Sequence, residues 1–367
     1  MKVLVVTTAY PTPAAPATGV FVREHARAAA LHADVAVLHL DRSHDHRGLP
    51  SLQRVEDEEL PTWRVTYPWS PTPVSAVLHF VAAARGRLAV RRAGFRPDVV
   101  HAHFFLAAVP AALLWRAPLV VSEHWSVFLP EDPLELTPLL RRAAEFAYRR
   151  ADVVLPVSEA LRRGIEAQGL AARRFEIVRN VVDTQLFTQG SSARNGRLLA
   201  VGLLYEAKGY DVLLPALGGL DGVELDIVGD GPLRGELERL ATASGVADRV
   251  RFHGLQPKRE VARMMREAQL FVLASRYDNN PCAVMEALAA GLPVVATAVG
   301  GVPELVTAAN GRLAQPGDPE ALASEIRAAF EASYDRAAIS ADARARYGME
   351  AIGDQLAHVY GSIVRTK

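Results

Sequence analysis

Asp278 and Glu286 stand eight residues apart in SRYDNNPCAVMEALAAGLPVVATAVGGVPE, which runs from residue 275 to 304. Asn279 and Asn280 are residue types that cap helices, and Pro281 suits a first turn, where its missing N–H costs nothing. The spacing predicts a helix through Glu286 that stops at Gly291, ahead of Pro293. Asp278 then lies just before a helix start and Glu286 a little over one turn inside it. Exposed amides and a positive dipole end between two acids suit an anionic, hydroxyl-rich ligand, the amides taking phosphate and the carboxylates sugar hydroxyls. Asn280, Pro281, Cys282, Ala283 and Glu286 are the candidate contacts in this segment. Cys282 can be read as a nucleophile, but no histidine is close in sequence. A small residue packed near the ligand accounts for it better.

Further candidates sit at the ends of expected strands. Gly202 follows the run Arg197 to Val201, and Lys208 comes just before the next expected helix. Alone, such a lysine is an ordinary solvated side chain. At a strand's carboxyl end, in the same half as the two acids, it suits a diphosphate as a point charge. Gly229-Asp230-Gly231-Pro232 also ends a strand, but position 234 is Arg, so no dinucleotide fingerprint is completed and only a tight turn beside a nucleotide is expected. Walker A spacing and Asp-x-Asp are both absent.

His101 and His103 alternate along one strand and can face the same side, and Glu123-His124 ends the next. Imidazoles and a carboxylate can hold zinc. The reading preferred for His124 is a donor to phosphate or to a sugar hydroxyl, and no metal is expected. His44 and His46 lie in a charged loop and read as solvated. Gly19 follows a Pro/Ala-rich loop and opens the first helix. It is either a capping glycine or part of a loop whose backbone must approach phosphate.

These residues need a scaffold, and short β-branched runs alternating with helical segments describe parallel βαβ units. Strands are expected at 2–7, 35–40, 63–67, 99–103, 119–122 and 153–156, with helices at 20–31, 75–93 and 139–150. A polar stretch, 188–197, reads as a linker. Strands follow at 197–201, 224–228, 250–253, 270–273 and 293–296, with helices at 211–217, 233–244, 258–267, 282–290 and 319–331. The expected class is α/β, two doubly wound Rossmann-like domains facing each other across a cleft, 1–187 and 188–349. A last helix, about 350–367, is apolar at Ile352, Leu356, Val359 and Ile363 and must pack on something.

Composition narrows the classes. The chain has 367 residues, with 41 Lys plus Arg against 41 Asp plus Glu, so net charge does not point to nucleic acid. One cysteine excludes an internal disulfide and fits a reducing compartment. No signal peptide and no membrane-spanning helix are expected, which places the protein in the cytoplasm. Arginines at 85, 87, 91, 92 and 96, with others at 141, 142, 149 and 150, form a solvated face that could also meet anionic lipid at the inner face of the membrane.

Together these residues resemble the family-4 retaining glycosyltransferases of GT-B fold, over nearly the whole chain. The family's E-x7-E element is similar to Asp278 through Glu286, and its GG-x-PE to Gly300-Gly301-Val302-Pro303-Glu304. Gly202 to Gly209 resembles VGRL…KG, Asn180-Val181-Val182-Asp183 with Phe187 resembles NGVD…F, and Ser122-Glu123-His124 resembles the strand end carrying the active-site histidine. The resemblance implies that Glu286 holds the nucleotide ribose, Asp278 the donor-sugar hydroxyls and Lys208 the diphosphate, that His124 contacts the donor, and that the last helix crosses back to the first domain. It implies a nucleotide-sugar donor, a glycan, lipid-linked or small-molecule acceptor held by the first domain (loop 41–61 and the loop before Gly19), and no cofactor. Three positions depart from the pattern: Asp278 is one methylene shorter than the first Glu, Leu203 replaces an arginine, and Val181 replaces a glycine. A nucleotide-sugar epimerase or hydrolase, and a binder without activity, remain alternatives.

Overall fold

The computed structural model describes residues 1–57, 60–70, 74–190 and 196–364. They form two compact units. Unit 1 takes Met1–Phe128 and Leu134–Val181 and regains the chain at Met349; unit 2 takes Leu129–Pro133 and Val182–Gly348. The first division therefore falls earlier than the expected residue 187. Val182 N–H donates to the Tyr347 carbonyl at 2.9 Å, and Phe187 is fully buried in the core of unit 2. The linker expected at 188–197 is also displaced. Gly190 donates to the Ala290 carbonyl of unit 2, while residues 191–195 lie outside the described residues.

Unit 1 runs β1 (Lys2–Thr7), α1 (Val20–Ala30), β2 (Asp34–Ser43), β3 (Ser51–Asp57), β4 (Leu60–Pro68), α2 (Val74–Arg92), β5 (Val99–His103), α3 (Phe105–Leu114), β6 (Leu119–Glu123), α4 (Pro138–Arg150), β7 (Val153–Pro156) and α5 (Glu159–Ala167). Its sheet has the order β3-β4-β2-β1-β5-β6-β7. Every pair is parallel except β3 with β4, an edge hairpin where a loop was expected at 41–61. Residues 58 and 59 of that loop lie outside the described residues. The segment SLQRVED carries too few apolar residues to announce a strand; its partner β4 supplies the buried side chains, Trp63, Val65 and Tyr67.

Helix α3 was not expected, because Pro110 sits in its middle. A proline there frees the carbonyl of the residue four before it. That carbonyl, Leu106 O, accepts a hydrogen bond from His79 Nε2 at 3.0 Å, and His79 Nδ1 accepts from the Tyr67 hydroxyl at 2.8 Å. A histidine from α2 thus closes the gap that the proline opens. Helix α5 was also missed, although Ser158 caps it by accepting from Leu161 N–H.

Unit 2 runs β8 (Arg197–Val201), α6 (Tyr210–Gly218), β9 (Glu224–Val228), α7 (Arg234–Ala243), β10 (Val250–Phe252), α8 (Lys258–Glu267), β11 (Leu270–Leu273), α9 (Cys282–Ala289), β12 (Val294–Thr297), β13 (Gly311–Ala314), α10 (Pro319–Glu331) and α11 (Arg336–Tyr347). Its sheet, β10-β9-β8-β11-β12-β13, is wholly parallel. β13 and α11 were not expected, though Asp335 caps α11 by accepting from Ala337 and Ala338 N–H. One buried cluster joins α8, α9 and α11 to the sheet, and another joins α6, α7 and α10.

The last helix, α12 (Met349–Val364), belongs to unit 1. Ile352, Leu356, Val359, Tyr360 and Ile363 pack with Val22, Ala26 and Ala29 of α1 over β-strand residues Val3, Val5 and Val99. Gly353 lets the helices close up, since a Cβ there would lie 2.7 Å from the Ala28 carbonyl oxygen.

In each sheet the winding reverses once, between β1 and β5 in unit 1 and between β8 and β11 in unit 2. Ligands of doubly wound sheets bind outside the strand carboxyl ends at such a reversal. Replacing His79 with Phe should cost unit 1 about 1–3 kcal/mol, because the buried Leu106 carbonyl and Tyr67 hydroxyl both lose their partner. Thermal unfolding reads this as a lower first transition, and an unchanged transition would refute the role given to His79.

Candidate functional site

In unit 2 the predicted residues converge on the loops after β8, β11 and β12. Lys208 ends a 3₁₀ turn after β8, and Asp278 lies in the loop after β11. Their side chains are ion-paired, Nζ to Oδ2 at 2.6 Å, with both groups half-buried. Gly209 follows at φ 62°, where a Cβ would come within 2.0 Å of the Ala274 carbonyl oxygen. Gly300, at φ 47°, passes the Asp278 carbonyl oxygen so closely that a Cβ would lie 2.1 Å from it, and Gly301 N–H donates to that same oxygen at 3.0 Å. The paired glycines after β12 thus hold the backbone of Asp278. Gly229 passes Gly202 in the same way, at φ 142° with 1.9 Å left for a Cβ.

Glu286 lies in the second turn of α9, and Lys258, at the start of α8, approaches it at 3.6 Å. The sequence reading missed Lys258; as the first residue of a strongly amphipathic helix it reads as surface. The expected cap is corrected. Pro281 takes the N-cap position of α9, and Asn279 and Asn280 are buried just before it. Cys282 and Ala283 are partly exposed in the first turn, whose amides have no intrahelical acceptor. Burial, with Glu286 adding to it, pushes the Cys282 thiol up to about 12, so it is no nucleophile at neutral pH.

In unit 1 the period of two along β5 and β6 puts His101 and His103, and Ser122 with His124 after it, on the face covered by α1 and α12. His101 is fully engaged, Nε2 with Ser122 Oγ and Nδ1 with the Tyr360 hydroxyl, both at 2.8 Å. His103 Nδ1 and His124 Nε2 are 3.0 Å apart, with their rings stacked at 13°. His25 of α1, unremarked in the sequence, adds a third ring 5.4 Å from that of His103 and 5.6 Å from that of His124. Burial holds His25 at about 4 and His103 and His124 well below the usual imidazole range, so all three are neutral at pH 7.

Glu123 sets the direction of the His124 loop from the opposite face. One carboxylate oxygen accepts from the His124 and Trp125 amides, and the other from Phe105 N–H and the Tyr148 hydroxyl, at 2.9–3.0 Å. Burial pushes its pKa up, and the four donors pull it back. Between His103 and α3, Phe104 holds φ 71°, the one non-glycine at positive φ among the described residues, so strain of about 1–3 kcal/mol is kept beside this cluster. Gly19, also at positive φ, opens α1. A Cβ there would meet the Ala9 carbonyl at 2.4 Å, which fits the capping reading.

Unit 1 also holds a cavity of about 650 Å³. Phe80, Leu106, Val109 and Leu140 form an apolar wall, and Thr12 and Asp41 lie at its polar side, within the two loops expected to meet an acceptor.

Residues 182–346 match the family model for glycosyl transferases group 1, and residues 18–186 the model for glycosyltransferase family 4. The putative colanic acid biosynthesis glycosyltransferase WcaL of Salmonella typhimurium is 31% identical over 291 residues, 73% of this chain and 71% of that one. D-inositol 3-phosphate glycosyltransferase 1 of Catenulispora acidiphila is 32% identical over 303 residues, 73% and 72% of the two chains. Among solved structures, sucrose-phosphate synthase from Thermosynechococcus elongatus superposes over the full length of both chains with a TM-score of 0.82 at 20% identity. HepE of Anabaena, solved in complex with UDP-glucose, gives 0.77 at 22% identity over 99% of this chain and 100% of that one. The fold is GT-B, two Rossmann-like units with parallel sheets, and the matched family models and relatives make the protein a glycosyltransferase. The chain belongs to the family-4, group 1 glycosyltransferases, as its motifs imply. Among the described residues no helix is long and apolar enough to cross a membrane.

Replacing Glu123 with Gln turns an amide NH₂ toward backbone donors and should cost at least about 2 kcal/mol. Hydrogen exchange at the His124 and Trp125 amides should speed up in step; unchanged exchange would remove Glu123 from its positioning role. In the folded wild type, Cys282 should resist iodoacetamide at pH 8 and react once the chain is denatured. Rapid alkylation of the native chain would contradict the inert thiol.

Proposed function

We propose that the protein transfers a hexosyl group from a nucleoside-diphosphate sugar to an acceptor with an apolar portion, retaining the anomeric configuration and needing no metal ion. The observation that carries this is the Lys208–Asp278 ion pair at the strand ends of unit 2, beside the start of α9. A diphosphate draws Lys208 to itself and releases the Asp278 carboxylate to accept sugar hydroxyls. One ligand thereby satisfies both charges. The first-turn amides of Cys282 and Ala283 take phosphate oxygens, and Glu286 accepts from the ribose hydroxyls.

The sugar C1–O bond to phosphate breaks while the bond from the acceptor oxygen to C1 forms on the same face. The acceptor hydroxyl proton passes to the departing phosphate oxygen. Negative charge develops on the diphosphate, where Lys208 and fixed amide dipoles stabilise it. A double displacement would need a carboxylate nucleophile at C1, whereas this reading gives Asp278 to the sugar hydroxyls and Glu286, which faces Lys258, to the ribose. His124 contacts the donor sugar as a neutral imidazole.

The cavity of unit 1 supports an acceptor with an apolar part, such as a lipid-linked glycan. Exposed Val77 and Phe80 of α2, and exposed Leu139 of α4 with Arg141 and Arg142, suit a lipid surface. WcaL is named for colanic acid biosynthesis, which favours a role in making polysaccharide.

A panel of nucleotide sugars read by saturation-transfer NMR identifies the donor. Release of free sugar alone, epimerised donor, or binding without turnover would each replace transfer by another activity. Glu286→Ala should weaken donor binding at least about tenfold, from the loss of a charge-assisted hydrogen bond of about 1.5–3 kcal/mol; near-normal affinity would end its role. Turnover abolished by a chelator, or an inverted product anomer, would overturn the mechanism.

A further inference from the structure

His25, His103 and His124 present one ring nitrogen each within 4.8 Å of the others. His25 Nε2 lies 2.8 Å from the Arg179 carbonyl oxygen, which can only accept, so the proton is on Nε2 and Nδ1 keeps its lone pair. That Nδ1 is buried without a hydrogen-bond partner, as is Nε2 of His103. His124 is hydrogen-bonded to the Asn180 side chain. A backbone carbonyl and an amide behind the rings are what fixes ring orientation around bound metals. His101 takes no part, since both its nitrogens are occupied.

We propose that His25, His103 and His124 form a three-imidazole site for a divalent transition ion of the zinc class, with a fourth position left for water. The ligand set decides the ion. Neutral imidazoles suit zinc, cobalt, nickel and copper, and magnesium requires oxygen ligands. The 3.0 Å between His103 Nδ1 and His124 Nε2 is close to the ~3.4 Å that two nitrogens span on one tetrahedral zinc. His25 has to close by about 1 Å to join them. The proton shared between His103 and His124 moves to His103 Nε2, the partnerless nitrogen, so the rings bind the ion without losing charge. His124 is partly exposed, which gives the ion a way in.

An ion on His124 takes that ring from the donor, so zinc should inhibit transfer. This consequence rests on the proposed function; the binding does not. The full chain, stripped of metal, is titrated with Co²⁺ and then Zn²⁺, and ring-nitrogen NMR of the wild type follows the histidines. The expected result is one equivalent of cobalt with the visible absorption of a tetrahedral ion, its displacement by zinc, and shifts at His25, His103 and His124 but not at His44 and His46, which lie elsewhere in the sequence and outside this cluster. Excess Mg²⁺ should not compete. His25→Gln and His103→Gln should each weaken binding at least about tenfold. Absence of stoichiometric binding, shifts confined to other histidines, or wild-type affinity in both variants would overturn the site. Ion binding by a chain whose metal-free form transfers no sugar would count against the proposed function alone, and transfer by a chain that binds no ion against this inference alone.

Discussion

Where one loop's backbone must lie against another's, no side chain can stand between them, and unit 2 is organised around three such contacts. Gly229 meets Gly202, Gly209 meets the Ala274 carbonyl, and Gly300 meets the carbonyl of Asp278. Each joins the carboxyl end of one strand to that of another. A Cβ at any of the three would come within about 2 Å of a carbonyl oxygen, well inside contact distance. The loops can therefore close only if these residues are glycine, and their closure brings Lys208 to Asp278. The Lys208–Asp278 ion pair depends on atoms that are absent.

Unit 1 obeys a different constraint. Strand alternation forces every second residue of β5 and β6 onto one face, and α1 and α12 cover most of that face. Histidines placed there must do without charge. His101 spends both nitrogens on Ser122 and Tyr360, so it is a satisfied core residue. His103, His124 and His25 meet one another, with the Arg179 carbonyl behind His25 and the Asn180 side chain behind His124, and as neutral rings they keep lone pairs. That cover depends on α12, which returns to this unit after the whole of unit 2.

Much of this was legible in the sequence because it rests on short-range rules. Parallel strands buried on both faces appear as β-branched runs, and the motifs around Gly202, Lys208, Asp278 and Glu286 lie at strand ends, where doubly wound sheets put chemistry. What escaped depends on partners distant along the chain. β3 is a strand because β4 pairs with it, and α3 is a helix because His79 answers for Pro110. His25 looked like one residue of an Ala-rich helix, since nothing local says which strand that helix covers. The N-cap position falls on Pro281 for a related reason, since Asn279 and Asn280 are drawn into the interior before the helix begins.

The two units also divide the physical tasks. In unit 2 Lys208 and Asp278 are charged and already paired, so a group that takes one of them must release the other. In unit 1 the cavity is mostly apolar, with Asp41 and Arg42 at one side, and an amphipathic molecule loses least by entering. Asp278 links this logic to the chain's own departure from the family pattern. The aspartate carboxylate already reaches Lys208 at 2.6 Å, and the Asp278 backbone is held by Gly301. A shorter acid on a fixed backbone cannot follow both the lysine and a sugar. On the proposed function, whichever sugar hydroxyl it accepts must come to it.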